Sequence, residues 1–203
     1  MILKISRERP MTDTQHLITS AFERSLETKR TLVDSQINEL VEVVELVTHT
    51  FKNGQKVLLC GNGGSAADAQ HIAAEWVTRY KGDRKALPAI ALTVNTSDLT
   101  AIGNDYGFDD LFSRQVEAHG QSGDLLIAIS TSGNSANVVK AVDTAKNNGL
   151  RTLGLTGQTG GKLKSLCDVC LCVPSNETAR IQEAHTTIMH AMCEHVDNVL
   201  FGV

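Results

Sequence analysis

Aromatic residues make up only 4% of this 203-residue chain, which excludes a surface built to stack nucleic-acid bases. No long basic run occurs, and 19 Lys and Arg are outnumbered by 23 Asp and Glu, so nucleic acid is excluded as a default partner. There is no 18-residue apolar stretch and no secretory leader; the expectation is a cytoplasmic protein without membrane contact. Five cysteines, an odd number, argue against a disulfide framework. Cys167-x-x-Cys170 lacks the second Cys-x-x-Cys that a structural zinc site requires. Cys170 and Cys172 alternate in the apolar run DVCLCV, so buried free thiols are expected. Internal repeats, low-complexity tracts and linkers are also missing, which leaves a single domain.

What is present is ordinary globular composition, 41% apolar and 21% charged, in a length that closes one α/β core. Residues 1–12 read as an N-terminal extension, because Pro10 and the RER cluster break any pattern, and 13–203 as the domain. Residues 13–52 carry apolar residues at helical spacing, with Asp34-Ser35 predicted to cap a second helix and Asn53-Gly54 to end it. Short apolar runs follow at 56–61, 89–94, 124–130, 151–157 and 168–173, with helical stretches between most of them. That alternation predicts an α/β fold, a doubly wound parallel sheet of five strands flanked by helices. A long terminal helix is expected over about Glu177 to Leu200.

Two strand ends carry turns that suit a ligand. Gly61-Asn62-Gly63-Gly64-Ser65 leaves the first strand and opens a helix, where glycines admit close approach and free amides favour an anion. The dinucleotide fingerprint is incomplete, because Asn95 stands where an acid should hold the ribose. No Gly-Lys-Ser/Thr is present either, so the Walker pattern fails. A tight turn without a ligand stays open on motif grounds. The third strand ends in Ser130-Thr131-Ser132-Gly133-Asn134-Ser135, a cluster of hydroxyls before another helix, with no Lys or Arg. Capping explains one hydroxyl but not four, which favours a phosphate monoester that must be released again. On the helix after the glycine turn, His71 and Glu75 share a face one turn apart.

CGNGGS, HxxxE, GNDYGF, ISTSGNSANV and RIQEAH, in this order, resemble the sugar-isomerase (SIS) family, close to its phosphoheptose isomerase branch, over about residues 14–200. The resemblance implies a flavodoxin-like sheet and a homotetramer with sites at subunit boundaries. It implies isomerisation of sedoheptulose 7-phosphate to D-glycero-D-manno-heptose 7-phosphate, an early step toward the heptoses of Gram-negative lipopolysaccharide. Substrate contacts then fall on Asn62, Gly63, Gly64, Asn104, Asp105, Ser130, Thr131, Ser132, Ser135 and Gln182, with Ser65 and Glu75 added. Zinc ligands, for one ion per subunit, fall on His71, Glu75, Gln182 and His190. Two features depart: the stretch LTVNTSDLTAIGND is a residue longer than in some relatives, and Ala179 stands where some relatives carry Asp.

An aldose–ketose conversion needs a base at carbon and an acid at the carbonyl oxygen. By resemblance Glu75 is the base and His190 the acid. His185 is expected to support the site, His195 to be half-buried on the terminal helix, and His119 to lie solvated in a loop. Gln182 and His190 are eight residues apart, ~12 Å along a straight helix, so a shared ion needs an irregular first turn, a bent helix or ligands from different subunits, of which the last is the expectation. A rival branch of the family comprises regulators that bind the replication initiator DnaA; there the helix glutamate and terminal-helix histidine are replaced, whereas Glu75 and His190 are both present here. A sugar-phosphate sensor would need a DNA-binding domain for which no residues remain.

Overall fold

A computed structural model describes residues 11–203; the first ten residues of the expected extension lie outside the described residues. Helix α1 (Asp13–Lys52) starts at Thr12, whose hydroxyl accepts from the Gln15 amide while the Gln15 side chain accepts from the Thr12 amide. The cap expected at Asp34-Ser35 is a kink instead. The helix runs through, and only Gln36 leaves helical geometry, at φ −138° and ψ 33°. Ser35 Oγ donates back to the Thr31 carbonyl at 2.6 Å, a bond that bends helices. Gln36 then donates from its side chain to the Cys172 carbonyl at 2.8 Å. The helix ends as expected, with Gly54 at φ +74° after Asn53.

Five parallel strands follow: β1 (Val57–Gly61), β2 (Ala89–Ala91), β3 (Leu125–Ser130), β4 (Arg151–Thr156) and β5 (Val169–Cys172), ordered β2-β1-β3-β4-β5. The doubly wound sheet is therefore as predicted. Strand β2 is shorter than its apolar run because Asn95 accepts from the amides of Ser97 and Asp98 and starts α3 (Thr96–Asp105) early. The remaining helices are α2 (Gly64–Val77), α4 (Ser113–His119), α5 (Ala136–Asn147), α6 (Leu163–Leu166) and α7 (Thr178–Phe201). His119 is thus the last residue of a helix, not part of a loop. A histidine there faces the negative end of the helix dipole, which suits it.

Alternate strand residues feed two cores. Val57, Leu59, Ile127 and Leu155 pack under α1, α2 and α7 with Val47, Ile72, Trp76 and Met189. Leu58, Leu126 and Ala128 pack under α4, α5 and α6 with Val116, Val142 and Leu163. Burying each such large aliphatic side chain is worth about 1.5–3 kcal/mol. The order of the strands reverses between β1 and β3. Helix α2 leaves β1 toward one face and α5 leaves β3 toward the other, so a crevice opens at the carboxyl ends of those two strands. Both turns singled out in the sequence lie there.

Candidate active site

The glycine turn is shaped by two close approaches. Gly63, at φ +57° and ψ −121°, holds a conformation that few other residues adopt and sits at the N-cap of α2. At Gly64 the backbone lies close under Gln182: a Cβ there would stand 2.5 Å from Gln182 Nε2 and would displace that amide. Gln182 of α7 thus lies over the first turn of α2. Asn62 is committed sideways: its amide exchanges two hydrogen bonds with Asn137, at 2.8 and 2.9 Å. This reciprocal pair ties the glycine turn to the first turn of α5, and what Asn62 offers a ligand is its backbone. Ser65 is buried beneath Gly61 rather than at the rim.

The hydroxyls of the serine turn gather around one another. Ser135 occupies the N-cap of α5, yet its side chain makes no capping bond. Its Oγ lies 3.0 Å from Ser130 Oγ, and Ser132 Oγ lies 3.4 Å from Ser130 Oγ while accepting from the Asn134 amide at 3.2 Å. Three hydroxyls converge at a helix N-terminus without serving the helix, an arrangement suited to phosphate oxygens. A cavity of about 230 Å³ opens beside Thr131 and Ser132, lined by Gln158, Ser175 and Thr178. Gly133, at φ +66°, lets the turn press against the Gly160 carbonyl.

Helices α2 and α7 run side by side and carry the titratable groups. Gln182 faces Gly64, Thr186 donates to Asp68 Oδ1 at 3.1 Å, and the His190 ring meets the His71 ring edge-on, 5.0 Å between centroids. His71 Nε2 lies 3.3 Å from Glu75 Oε1. Two donors on one zinc ion with ~2.1 Å bonds are ~3.4 Å apart in tetrahedral geometry, so this pair is spaced for a shared metal. Two imidazoles and a carboxylate are donor types that zinc accepts. Among the described residues no three His, Cys, Asp or Glu side chains already converge to hold an ion. His71 neighbours Glu75 on α2 and the His190 ring on α7 within one chain, and Gln182 sits two turns back from His190 on an unbroken α7. Asn104 and Asp105 lie exposed at the end of α3, bonded to each other at 2.7 Å; among the described bonds, none joins them to either turn.

Several residues that support this site escaped the sequence reading. Asp68 lies between the two helices, where burial raises its carboxyl pKa above the usual range, opposed by the Thr186 bond and by His71 and His190. Tyr80 stacks on His190 at 5.7 Å. Arg84 donates to the Glu75 and Trp76 carbonyls at 2.9 and 2.7 Å and to Asp197 Oδ1 at 2.8 Å. It thereby ties the C-terminal end of α2, and with it Glu75, to α7. The one advance signal was the i, i+3 step from Asp68 to His71. His185 is fully buried, and its Nε2 bonds the Thr156 carbonyl at the end of β4, 3.1 Å away. His195 is half-buried as expected, with Nδ1 2.9 Å from Thr48 Oγ1.

Comparison with known proteins bears on this geometry. A SIS domain model matches residues 22–157. The phosphoheptose isomerase of Roseiflexus sp. is 54% identical over 184 residues, covering 91% of this chain and 93% of that one. That of Clostridium acetobutylicum is 54% identical over 190 residues, covering 93% and 97%. Among solved structures, phosphoheptose isomerase GmhA from Neisseria gonorrhoeae superposes with a TM-score of 0.86 at 47% identity, over 92% of this chain and all of that one. The chain belongs to the SIS-domain family and, within it, to the isomerase group formed by the phosphoheptose isomerases.

Proposed function

We propose that the chain converts sedoheptulose 7-phosphate into D-glycero-D-manno-heptose 7-phosphate through an enediol. The observation that carries this reading is the serine turn: Ser135 sits at a helix N-cap with its hydroxyl turned to Ser130 instead of the helix. It lies across the β1–β3 crevice from the turn that leads into His71 and Glu75. The phosphate end of the sugar is held by Ser130, Thr131, Ser132 and Ser135 and by the amides that open α5. The carbonyl end extends toward α2 and α7, across Gly63 and Gly64, with Asn104 and Asp105 available to sugar hydroxyls.

Glu75 takes a proton from C1 of the ketose while His190 gives one to the C2 carbonyl oxygen, which leaves a C1–C2 enediol. Return of a proton to C2 and loss of one from the C1 hydroxyl complete the aldose. Zinc, if bound, would be held by His71, Glu75, Gln182 and His190 and would supply polarisation of a carbonyl and stabilisation of developing negative charge. Glu75 cannot be a tight ligand and a free base at the same moment. Incubation with sedoheptulose 7-phosphate and chromatography of the products tests the reading. The expected result is an equilibrium mixture with the aldoheptose 7-phosphate; conversion of a different sugar phosphate alone would refute the substrate assignment.

A further inference from the structure

Among the residues that the isomerisation leaves unassigned, Cys167, Cys170 and Cys172 are half-buried free thiols at the β5 edge of the sheet, not the fully buried ones the sequence led us to expect. The segment from Tyr80 to Arg84, after α2, lies against the titratable groups themselves. His190, Glu194 and Asp197 follow one another on α7 at steps of four and three residues, so they form one stripe. The segment docks on that stripe contact by contact. The Tyr80 ring stacks on the His190 ring, 5.7 Å between centroids and 23° between planes. Lys81 Nζ pairs with Glu194 Oε1 at 2.5 Å, and the Lys81 amide donates to Asp197 Oδ2 at 3.4 Å. Arg84 Nε donates to Asp197 Oδ1 at 2.8 Å.

These contacts are unequal in strength. The Lys81–Glu194 pair is half exposed and holds little by itself. The Arg84–Asp197 pair is buried, and Arg84 also takes the Glu75 and Trp76 carbonyls at the end of α2. Tyr80 comes two residues after Thr78, the C-cap of α2, and four before that anchor. It also packs against the core shared by α1, α2 and α7. The segment is therefore fixed on both sides of Tyr80, and the fold itself sets the ring over His190.

His190 needs such a neighbour. Its side chain makes none of the described hydrogen bonds, and the torsion that turns an imidazole ring is broad. A histidine that ligates a metal is ordinarily oriented by a hydrogen bond on its second nitrogen. Here two rings stand in that place. His71 meets His190 edge-on, 5.0 Å between centroids and 78° between planes, and Tyr80 covers a face. Edge-on and offset-stacked rings are the favoured aromatic arrangements. The Tyr80 hydroxyl also makes none of the described hydrogen bonds, so what Tyr80 supplies is the face of its ring.

We propose that Tyr80 is a positioning residue for His190, its ring fixing the plane of the imidazole for proton transfer to the sugar and for a bond to zinc. The bearing on proton transfer rests on the isomerase reading; the stacking does not. An imidazole released from the stack turns its nitrogen off line, and a misplacement of ~1 Å costs on the order of 10²-fold in rate. The serine turn belongs to β3 and α5, so the hold on the phosphate is untouched.

The test compares the wild-type full chain with Tyr80→Leu and Tyr80→Phe. Tyr80→Leu is expected to lower kcat for sedoheptulose 7-phosphate by ~10–100-fold while KM stays close to the wild-type value. It is also expected to weaken zinc binding about tenfold or more, read without substrate by competition with a chelating dye. Tyr80→Phe, which keeps the ring, is expected to recover most of both losses. Should Tyr80→Leu fail to fold, Tyr80→Met takes its place with the same expected outcomes. The proposal is overturned if the ring-less variant binds zinc as tightly as the wild type, if Tyr80→Phe loses as much as that variant, or if the loss of turnover is confined to KM. A wild-type chain inert toward sedoheptulose 7-phosphate counts against the isomerase reading alone, and the zinc competition then decides the Tyr80 assignment.

Discussion

At the scale of single residues, the site depends on side chains kept free of structural duty. Ser135 could have capped α5 but bonds Ser130 instead, at 3.0 Å. Ser132→Ala and Ser135→Ala should therefore raise KM by the loss of a hydrogen bond to a charged group, about 1.5–3 kcal/mol each. Comparison with the dephosphorylated sugar decides the matter: equal losses for sedoheptulose and its 7-phosphate would show that these hydroxyls do not read the phosphate. The hydroxyl cluster and the His71–Glu75 pair were legible in the sequence because both are local patterns. Asp68, Asn137 and Arg84 were not. Their partners Thr186, Asn62 and Asp197 lie 118, 75 and 113 residues away, and only folding reveals such pairs.

At the scale of elements, α7 organises the site by fastening the ends of α2 and β4. The Arg84–Asp197 ion pair is buried on both sides, with side chains 1% and 0% exposed. Removing one partner leaves a buried charge, which costs about 3–5 kcal/mol. Asp197→Asn should lower unfolding stability by that order in urea titration and loosen the carbonyl clamp on Glu75; a loss under ~1 kcal/mol, the worth of an exposed pair, would contradict the role. The second fastening is His185 on the Thr156 carbonyl. Burial holds its pKa at about 4, below the ordinary 6.5. The unfolded chain thus binds a proton that the folded chain refuses, and stability is lost as pH falls from 6.5 toward 4. Urea midpoints across that window should fall with pH, and His185→Gln should flatten part of the slope; an unchanged slope would refute it. The strands were legible because each is an apolar run between turns. The α1 kink was placed to within two residues but misread as a cap, because Ser35 bonds backward to Thr31 rather than forward.

At the scale of the molecule, α1 leaves apolar side chains uncovered. Ile18, Phe22, Leu26, Val33, Ile37 and Val41 are all exposed on the isolated chain, and an exposed run of large apolar side chains along one helix marks an interaction surface. We propose that it is covered in a homotetramer, which also brings subunit boundaries to the sites. Light scattering should give four times the 21.9 kDa chain, and activity should fall on dilution together with that mass; a fully active monomer would be evidence against shared sites. His71 lies 3.3 Å from Glu75, and its ring meets the His190 ring 5.0 Å away between centroids, all within one chain. The sequence could not show this, because the pairing of α2 with α7 depends on how the sheet is wound. The account as a whole rests on Glu75 acting as a base at a site built for a phosphorylated ketose. The most direct test is the turnover of sedoheptulose 7-phosphate by the wild-type chain and by Glu75→Gln, side by side with their melting curves. The prediction is aldoheptose 7-phosphate from the wild type, a loss of ~10²–10⁴-fold in the variant, and closely similar melting. Activity in the variant within a few-fold of wild type would contradict the account.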